Sequence, residues 1–129
     1  MATRIREKAN ARKQNADKRA FATVKYVRMS PSKVRITLDT IRGKKVEEAI
    51  AILANQNTAS AEVCYKLVKS ALANAENNKG LSKDTLVVDE CYVCPGPTLK
   101  RLDIRAKGSA NRLLKRTCHI TVYLDEAKK

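Results

Sequence analysis

The sequence predicts an α+β fold: a small antiparallel three-stranded sheet packed by three helices, with a long protruding β-hairpin and a basic N-terminal extension. Two observations predict the domain: apolar residues recur at helical spacing between strand-like segments, and 129 residues are enough for one core. A third, the clustering of positive charge, predicts the two basic appendages. We place the extension at residues 1–20 and the globular domain at 21–129, with the hairpin at 95–117.

Three segments have the composition of strands. Residues 21–28 are rich in β-branched and aromatic side chains, and residues 86–94 and 117–124 alternate along their length. Strict alternation in the second segment puts Leu86, Val88, Glu90, Tyr92 and Cys94 on one face, and Val87, Asp89, Cys91 and Val93 on the other. In the third segment it turns Cys118, Ile120, Val122 and Leu124 inward, and Thr117, His119, Thr121 and Tyr123 outward.

Three helices are predicted between the first two strands. The first begins at Ser30-Pro31, since Ser caps helices and Pro suits the first helical position, and it ends at Gly43. The second ends near residues 55–57, and the third spans about 58–79 and is closed by Gly80. Their buried stripes are, in order, Val34, Leu38 and Ile41; Val46, Ala49, Ile50 and Leu53; and Cys64, Leu67, Val68, Ala71, Leu72 and Ala75. Lys33, Arg35 and Arg42 lie off the first stripe and are expected to face outward.

The net charge of +14 indicates a polyanionic partner, with nucleic acid favoured over an anionic membrane surface. Residues 1–45 carry +11, residues 46–96 carry −3, and residues 97–124 carry +6. One Phe, four Tyr and no Trp argue against a platform that stacks single-stranded bases. Because we find neither an apolar stretch of membrane-spanning length nor a signal peptide, we expect a cytoplasmic protein.

The two basic segments have little apolar surface to bury. In residues 1–20 the only large apolar residue besides Met1 is Ile5, so we expect a disordered segment or frayed helix that orders on a polyanion. A merely solubilising tail is the alternative.

In the predicted hairpin, two arms of about eight residues around Gly108 would reach roughly 25 Å. We expect this hairpin to become ordered on its partner; the alternative is a solvated hairpin without a partner. Its cations are Lys100, Arg101, Arg105, Lys107, Arg112, Lys115 and Arg116.

No set of residues predicts an active site, a metal site or a cofactor. Cys91-x-x-Cys94 is the one metal-like or redox-like spacing, but neighbouring candidates such as Cys64 and Cys118 belong to apolar stripes. His119 is the only histidine, and no glycine-rich phosphate loop is present. We therefore expect ordinary reduced thiols, no metal, no cofactor and no catalytic residues.

Several motifs occur in a fixed order along the chain: Ser30-Pro31 with Lys33-Val34-Arg35, Ile41-Arg42-Gly43-Lys44-Lys45, Ser70-Ala71, Ala73-Asn74-Ala75-Glu76-Asn77, Gly96-Pro97, Lys100-Arg101, Arg105-Ala106-Lys107-Gly108, and Lys115-Arg116-Thr117 with His119-Ile120-Thr121. With these motifs the chain resembles the family of bacterial large-subunit ribosomal protein twenty-two over about residues 22–124. Ser109 departs from the family, which commonly has Arg there. Residues 1–20 lie outside the resemblance.

The resemblance implies a non-enzymatic α+β domain near the peptide exit of the large subunit, with its hairpin threaded through ribosomal RNA and a role in subunit assembly. The tip would line the nascent-peptide tunnel with Arg105, Ala106, Lys107, Gly108, Ser109 and Ala110. Expected partners are large-subunit ribosomal RNA, neighbouring ribosomal proteins and the nascent peptide, without membrane binding or homo-oligomerisation. Expected RNA-binding residues are Lys33, Arg35, Arg42, Lys44, Lys45, Lys100, Arg101, Arg105, Lys107, Arg112, Lys115, Arg116 and His119.

Two other functions stay open from the residues alone. A free regulator of DNA or messenger RNA would read bases from the short helix at 31–42. A metal or redox enzyme would have to use Cys91 and Cys94.

Overall fold

A computed structural model describes residues 2–15 and 19–126 of the chain. The helices are α1 (Ala2–Gln14), α2 (Pro31–Asp39), α3 (Val46–Asn55) and α4 (Ala59–Lys79), and the strands are β1 (Ala20–Val27), β2 (Leu86–Pro95), β3 (Leu99–Ile104), β4 (Ala110–Lys115) and β5 (Cys118–Glu126). Short 3-10 turns at Lys83–Thr85 and Ala106–Gly108 precede β2 and β4. The α+β prediction is confirmed.

The three-stranded sheet has the order β1-β5-β2, with β5 antiparallel to both neighbours. Alternation puts the apolar side chains of β5 on one face, and Cys118, Ile120, Val122 and Leu124 are all fully buried there. The helix stripes cover this face, so Val34, Val46 and Val68 are fully buried as well. Helices α2, α3 and α4 supply all the buried helical residues of the described chain, as predicted.

Helix α4 begins and ends where the sequence indicates. The Thr58 side-chain oxygen accepts a hydrogen bond from the backbone N–H of Ala61, at 3.3 Å. Gly80 ends the helix in the left-handed conformation, with φ +64°. Leu72 of the predicted stripe is half-buried, as is Ile50 of α3.

Helix α2 is shorter than predicted, because it ends at Asp39 and not at Gly43. Gly43 instead occupies a left-handed turn, with φ +74°, that directs the chain against β2. Its N–H donates to the Val88 carbonyl at 2.8 Å, and the Val88 N–H donates back to the Lys44 carbonyl at 2.9 Å. Ile41 stays fully buried even though it lies outside the helix.

Strict alternation in the second predicted strand is wrong beyond Val88. Val88 pairs with Leu124 and Glu90 pairs with Tyr123, so Asp89 is an extra residue in a β-bulge. The bulge reverses the faces that follow. Cys91 and Val93 are therefore buried with Leu86 and Val88, whereas Glu90, Tyr92 and Cys94 are exposed.

Two residues predicted to face outward from the third strand are buried. Thr121 is 7% exposed because β5 is the central strand, and its hydroxyl lies 3.1 Å from that of Thr23 on β1. Thr117 is 5% exposed, and its hydroxyl donates to the carbonyl of Pro97. His119 and Tyr123 are half-buried.

Helix α1 contains most of the predicted basic extension. From Thr3 to Gln14 every side chain is exposed, including Ile5 at 69%. A helix was one of the two states expected of this segment. The division of the chain at residue 20 stays a prediction.

Candidate nucleic-acid interface

The hairpin arm, which we define as residues 95–117, continues the β2–β5 pair away from the core. Pro95 pairs with Cys118, and the Gly96 N–H donates to the Thr117 carbonyl at 2.9 Å. A Cβ atom on Gly96 would lie 2.5 Å from the Thr117 hydroxyl oxygen and 3.2 Å from the His119 ring. Glycine is therefore required where the arm leaves the body, by which we mean residues 20–94 and 118–126.

The arm is a two-stranded ladder that forms a sheet of its own. Strands β3 and β4 pair in register from Leu99↔Lys115 to Ile104↔Ala110. Six residues per strand span roughly 20 Å at about 3.3 Å per residue, somewhat less than expected. Almost every side chain of the two strands is exposed.

The tip is a tight turn in which two successive residues are left-handed. Lys107 has φ +57° and Gly108 has φ +73°. The Arg105 N–H donates to the Ser109 carbonyl at 2.8 Å, and the Ser109 hydroxyl donates to the Ala106 carbonyl at 2.9 Å. The turn at Gly108 is confirmed. Ser109 closes the turn with its own side chain.

The arm carries a dense and mostly unpaired positive charge. All seven of its cations are exposed. Arg105 is 3.1 Å from Asp103, and it is the one arm cation with a carboxylate partner among the described residues. Such charges repel one another in water, and phosphates of a nucleic acid would neutralise them. The cations are Lys100, Arg101, Arg105, Lys107, Arg112, Lys115 and Arg116.

Apolar side chains lie between these cations on one face of the arm. The register places Leu102 and Ile104 of β3 on the same face as Leu114 of β4. They are 69%, 84% and 46% exposed, respectively. No helix or third strand among the described residues covers Leu102 or Ile104, so this part of the face is available to a ligand.

The predicted cations of α2 and the segment after it differ in their surroundings. Lys33, Arg35, Lys44 and Lys45 are exposed. Arg42 instead folds back on the body, where its guanidinium donates to the Cys91 carbonyl at 3.0 Å and lies 2.9 Å from the Asp39 carboxylate. Half of its side chain stays accessible, but its charge is already compensated.

His119 lies beside the root of the arm and not in an open position. Its Nδ1 accepts a hydrogen bond from the Tyr26 N–H at 2.9 Å, so a neutral ring carries its proton on Nε2. The Tyr26 ring lies edge-on to the imidazole at 4.7 Å and is 64% exposed. Tyr26 has φ +59°, unusual for a bulky residue, in the β1 bulge between Val24 and Val27.

The thiols occupy positions that suit packing. Burial raises the pKa of Cys64 to about 12, and burial also raises the pKa values of Cys91 and Cys118. Cys94 is exposed on the opposite face from Cys91, as expected of their spacing. Among the described residues no three His, Cys, Asp or Glu side chains are grouped to hold a metal ion.

No helix in the described ranges is long and apolar enough to cross a membrane. The fold and this surface define a class: a small α+β protein with the charge distribution of a nucleic-acid-binding protein. The family model described as "Ribosomal protein L22p/L17e" matches residues 22–125. The chain belongs to this family.

Curated relatives agree with this assignment. The chain is 53% identical to large ribosomal subunit protein uL22 of Acetivibrio thermocellus over 105 residues, which are 81% of this chain and 84% of the relative. It is 53% identical to the protein of the same name from Clostridium kluyveri over 107 residues, 83% of this chain and 96% of the relative. The Magnetococcus marinus protein uL22 is 54% identical over 103 residues, 80% and 91% of the two chains.

Family membership confirms the predicted resemblance. It also confirms that the chain is a structural, non-enzymatic constituent of the large subunit of cytoplasmic ribosomes. The RNA-binding residues, the tunnel-lining tip and the division at residue 20 stay predictions.

Proposed function

We propose that this ribosomal protein binds large-subunit ribosomal RNA through its hairpin arm, supports subunit assembly, and places the tip at residues 105–110 in the wall of the nascent-peptide tunnel. The observation that carries the proposal is the arm itself. It projects from the end of the β2–β5 pair, exposes seven cations of which one is paired within the described chain, and buries almost nothing on its own. A two-stranded ladder of this kind is marginal in water, so a polyanionic partner completes it.

The remaining predicted contacts extend the interface onto the body. Lys33, Arg35, Lys44 and Lys45 supply further exposed cations, and His119 offers its Nε2 beside the arm. Arg42 contributes through the accessible half of its side chain. Residues 1–20 act as a basic extension that gains order on RNA. Neighbouring ribosomal proteins and the nascent peptide complete the partners, and the protein does not form homo-oligomers.

The RNA-binding step is tested by removing arm charge and measuring the salt dependence of binding. The variant Lys100→Ala, Arg101→Ala, Lys107→Ala and Arg112→Ala is titrated with large-subunit ribosomal RNA from 50 to 300 mM KCl. The slope of log K against log salt is expected to fall by about 3, since each lost phosphate contact removes about 0.7–0.9. The matched control removes four lysines of the body: Lys66, Lys69, Lys79 and Lys83. Equal slopes for the two variants would exclude the arm as the RNA-binding element.

Assembly and the tip need separate measurements. Tagged chain is expected to sediment with large subunits in a magnesium-containing sucrose gradient, and a protein confined to the top of the gradient would contradict the proposal.

A photo-cross-linker at Lys107 is expected to label the nascent peptide of a stalled ribosome, whereas the same group at Lys66 is not. Equal labelling from both positions would remove the tip from the tunnel.

A further inference from the structure

A cleft of about 960 Å³ lies where the root of the hairpin arm meets the body. Its walls come from the β1–α2 connection, from α2 itself, from the start of α4 and from the end of β4. This volume lies within the range of about 300–1,000 Å³ that is usual for small-ligand sites. The lining residues are Arg28, Met29, Ser30, Lys33, Ile36, Thr37, Gln56, Thr58, Ala59, Ser60, Leu114, Lys115 and Arg116.

The cleft concentrates positive charge. Its four charged lining residues are all cations, Arg28, Lys33, Lys115 and Arg116, and they come from three separate parts of the chain. None of them has a carboxylate partner within the described residues, in contrast to Arg42. A concave site lined by one sign of charge attracts an anion more strongly than a flat surface does. The N-terminal ends of α2 and α4 also open into it and add to the positive potential.

Charged residues are only part of the lining. Met29, Ile36 and Leu114 form an apolar wall, and Ile36 is 68% exposed although it lies on a helix of the body. Gln56 adds a polar group whose side-chain oxygen is buried without a hydrogen-bond partner in the described chain. A phosphate alone does not use the apolar wall.

We propose that the cleft binds one unpaired ribonucleotide of ribosomal RNA. Its phosphate lies among Arg28, Lys33 and the two cations of the arm root, and its base packs against the apolar wall. The proposal rests on the RNA binding proposed above and names the nucleotide that the body recognises. Because the ligand touches both β4 and the helices, it also fixes the arm relative to the body.

The site is tested on the full chain by NMR titration with adenosine, guanosine, cytidine and uridine 5′-monophosphates, and with ribose 5-phosphate and inorganic phosphate. Amide shifts are expected at Met29, Gln56 and Ala59, with at least one nucleotide bound about tenfold more tightly than ribose 5-phosphate, a difference that base packing readily supplies. Equal affinities for ribose 5-phosphate, inorganic phosphate and all four nucleotides would overturn the proposal, since they would show a phosphate site only.

Variants then test the site on large-subunit ribosomal RNA. Ala59→Phe fills the cleft and keeps every cation, whereas Ala51→Phe makes the same change at an exposed position of α3 outside the cleft. We expect about a tenfold loss of affinity for the first variant and no change for its control. Ile36→Glu, at an exposed position of the apolar wall, is expected to act like Ala59→Phe and serves if the larger side chain disturbs folding.

The outcomes separate this proposal from the proposed function. If the wild-type chain does not bind large-subunit RNA, the proposed function fails. If it binds, and loss of arm charge weakens binding while Ala59→Phe and Ile36→Glu do not, then the cleft proposal alone fails.

Discussion

The body and the hairpin arm are both built on antiparallel strand pairs, yet the strands of the body bury apolar side chains and those of the arm are exposed. Ile120 on β5 is fully buried, and Ile104 on β3 is 84% exposed. The backbone pairing of both strands is regular and antiparallel. The difference comes from what lies beside the ladder, since helices cover one face of β5 and nothing in the described chain covers β3.

Charge differs between the two regions in the same way. The body carries its own carboxylate partners at some positions, since Lys66 and Lys83 pair with Glu62 and Glu47 although Lys33 and Lys44 have no such partner among the described residues. The arm has one such pair for its seven cations. The pairing lowers the pKa of each of these glutamates. The body therefore has a buried core and some internal charge pairing, and we propose that RNA neutralises the charge of the arm.

The largest expected effect compares one substitution in the two regions. Ile120→Ala should lower the free energy of unfolding by about 2–5 kcal/mol, because it leaves a cavity in the core. Ile104→Ala should change it by less than about 0.5 kcal/mol, because the side chain is already in water. Urea unfolding followed by circular dichroism measures both. Similar losses for the two variants would show that the arm belongs to the cooperative core.

The junction between the regions should be sensitive at Gly96. Gly96→Ala places a Cβ atom 2.5 Å from the Thr117 hydroxyl oxygen, and overpacking of this kind costs about 1–3 kcal/mol. Thr117→Ala removes that oxygen, so the double variant should lose less stability than the sum of the single variants. Urea unfolding of all four proteins measures the coupling. Strict additivity would mean that the arm leaves the body by a looser path.

Alkaline pH should lower the free energy of unfolding of the body, because the buried thiols with raised pKa values belong to it. The pKa of Cys64 is about 12 in the folded state, against 9.0 for an unperturbed thiol. The neutral buried thiol therefore contributes fully to the free energy of unfolding below pH 9, and this contribution is lost as the pH rises toward 12. Between these two pH values, ionisation of this thiol lowers the free energy of unfolding by about 1.4 kcal/mol per pH unit. Urea unfolding between pH 8 and 10.5 should show a shallower slope for Cys64→Ala than for wild type. A slope for Cys64→Ala as steep as that of the wild type would contradict the assignment to this thiol.

Local pattern was sufficient wherever one side of an element faces the core and the other faces water. It identified the stripe of α4, the inner face of β5 and the cationic hairpin, since these depend on short sequence periods. It failed at Asp89 because a bulge is set by pairing with β5, and at Thr121 because a central strand has neighbours on both sides. It could not show that Lys107 shares the left-handed turn with Gly108.

The candidate interface could also be predicted from the sequence only in part. All seven arm cations lie within residues 100–116, so they could be found from the sequence. The cleft could not, since Arg28, Gln56 and Leu114 are far apart in the chain and no short pattern joins them. The sequence predicts that Arg42 is an unpaired cation. Only the fold shows its ion pair with Asp39 and its hydrogen bond to the Cys91 carbonyl.

The smallest expected effect removes one carboxylate from each region. Asp103→Asn breaks the ion pair with Arg105 in the arm, and Glu62→Gln breaks the pair with Lys66 in the body. Both pairs are exposed, so each change should alter the free energy of unfolding by less than about 0.5 kcal/mol. Affinity for large-subunit ribosomal RNA should rise a few-fold for Asp103→Asn, because the change frees Arg105 and removes the only acidic residue of the 97–124 segment. It should not change for Glu62→Gln. An equal rise in both variants would show that total charge governs binding and that the arm has no special role.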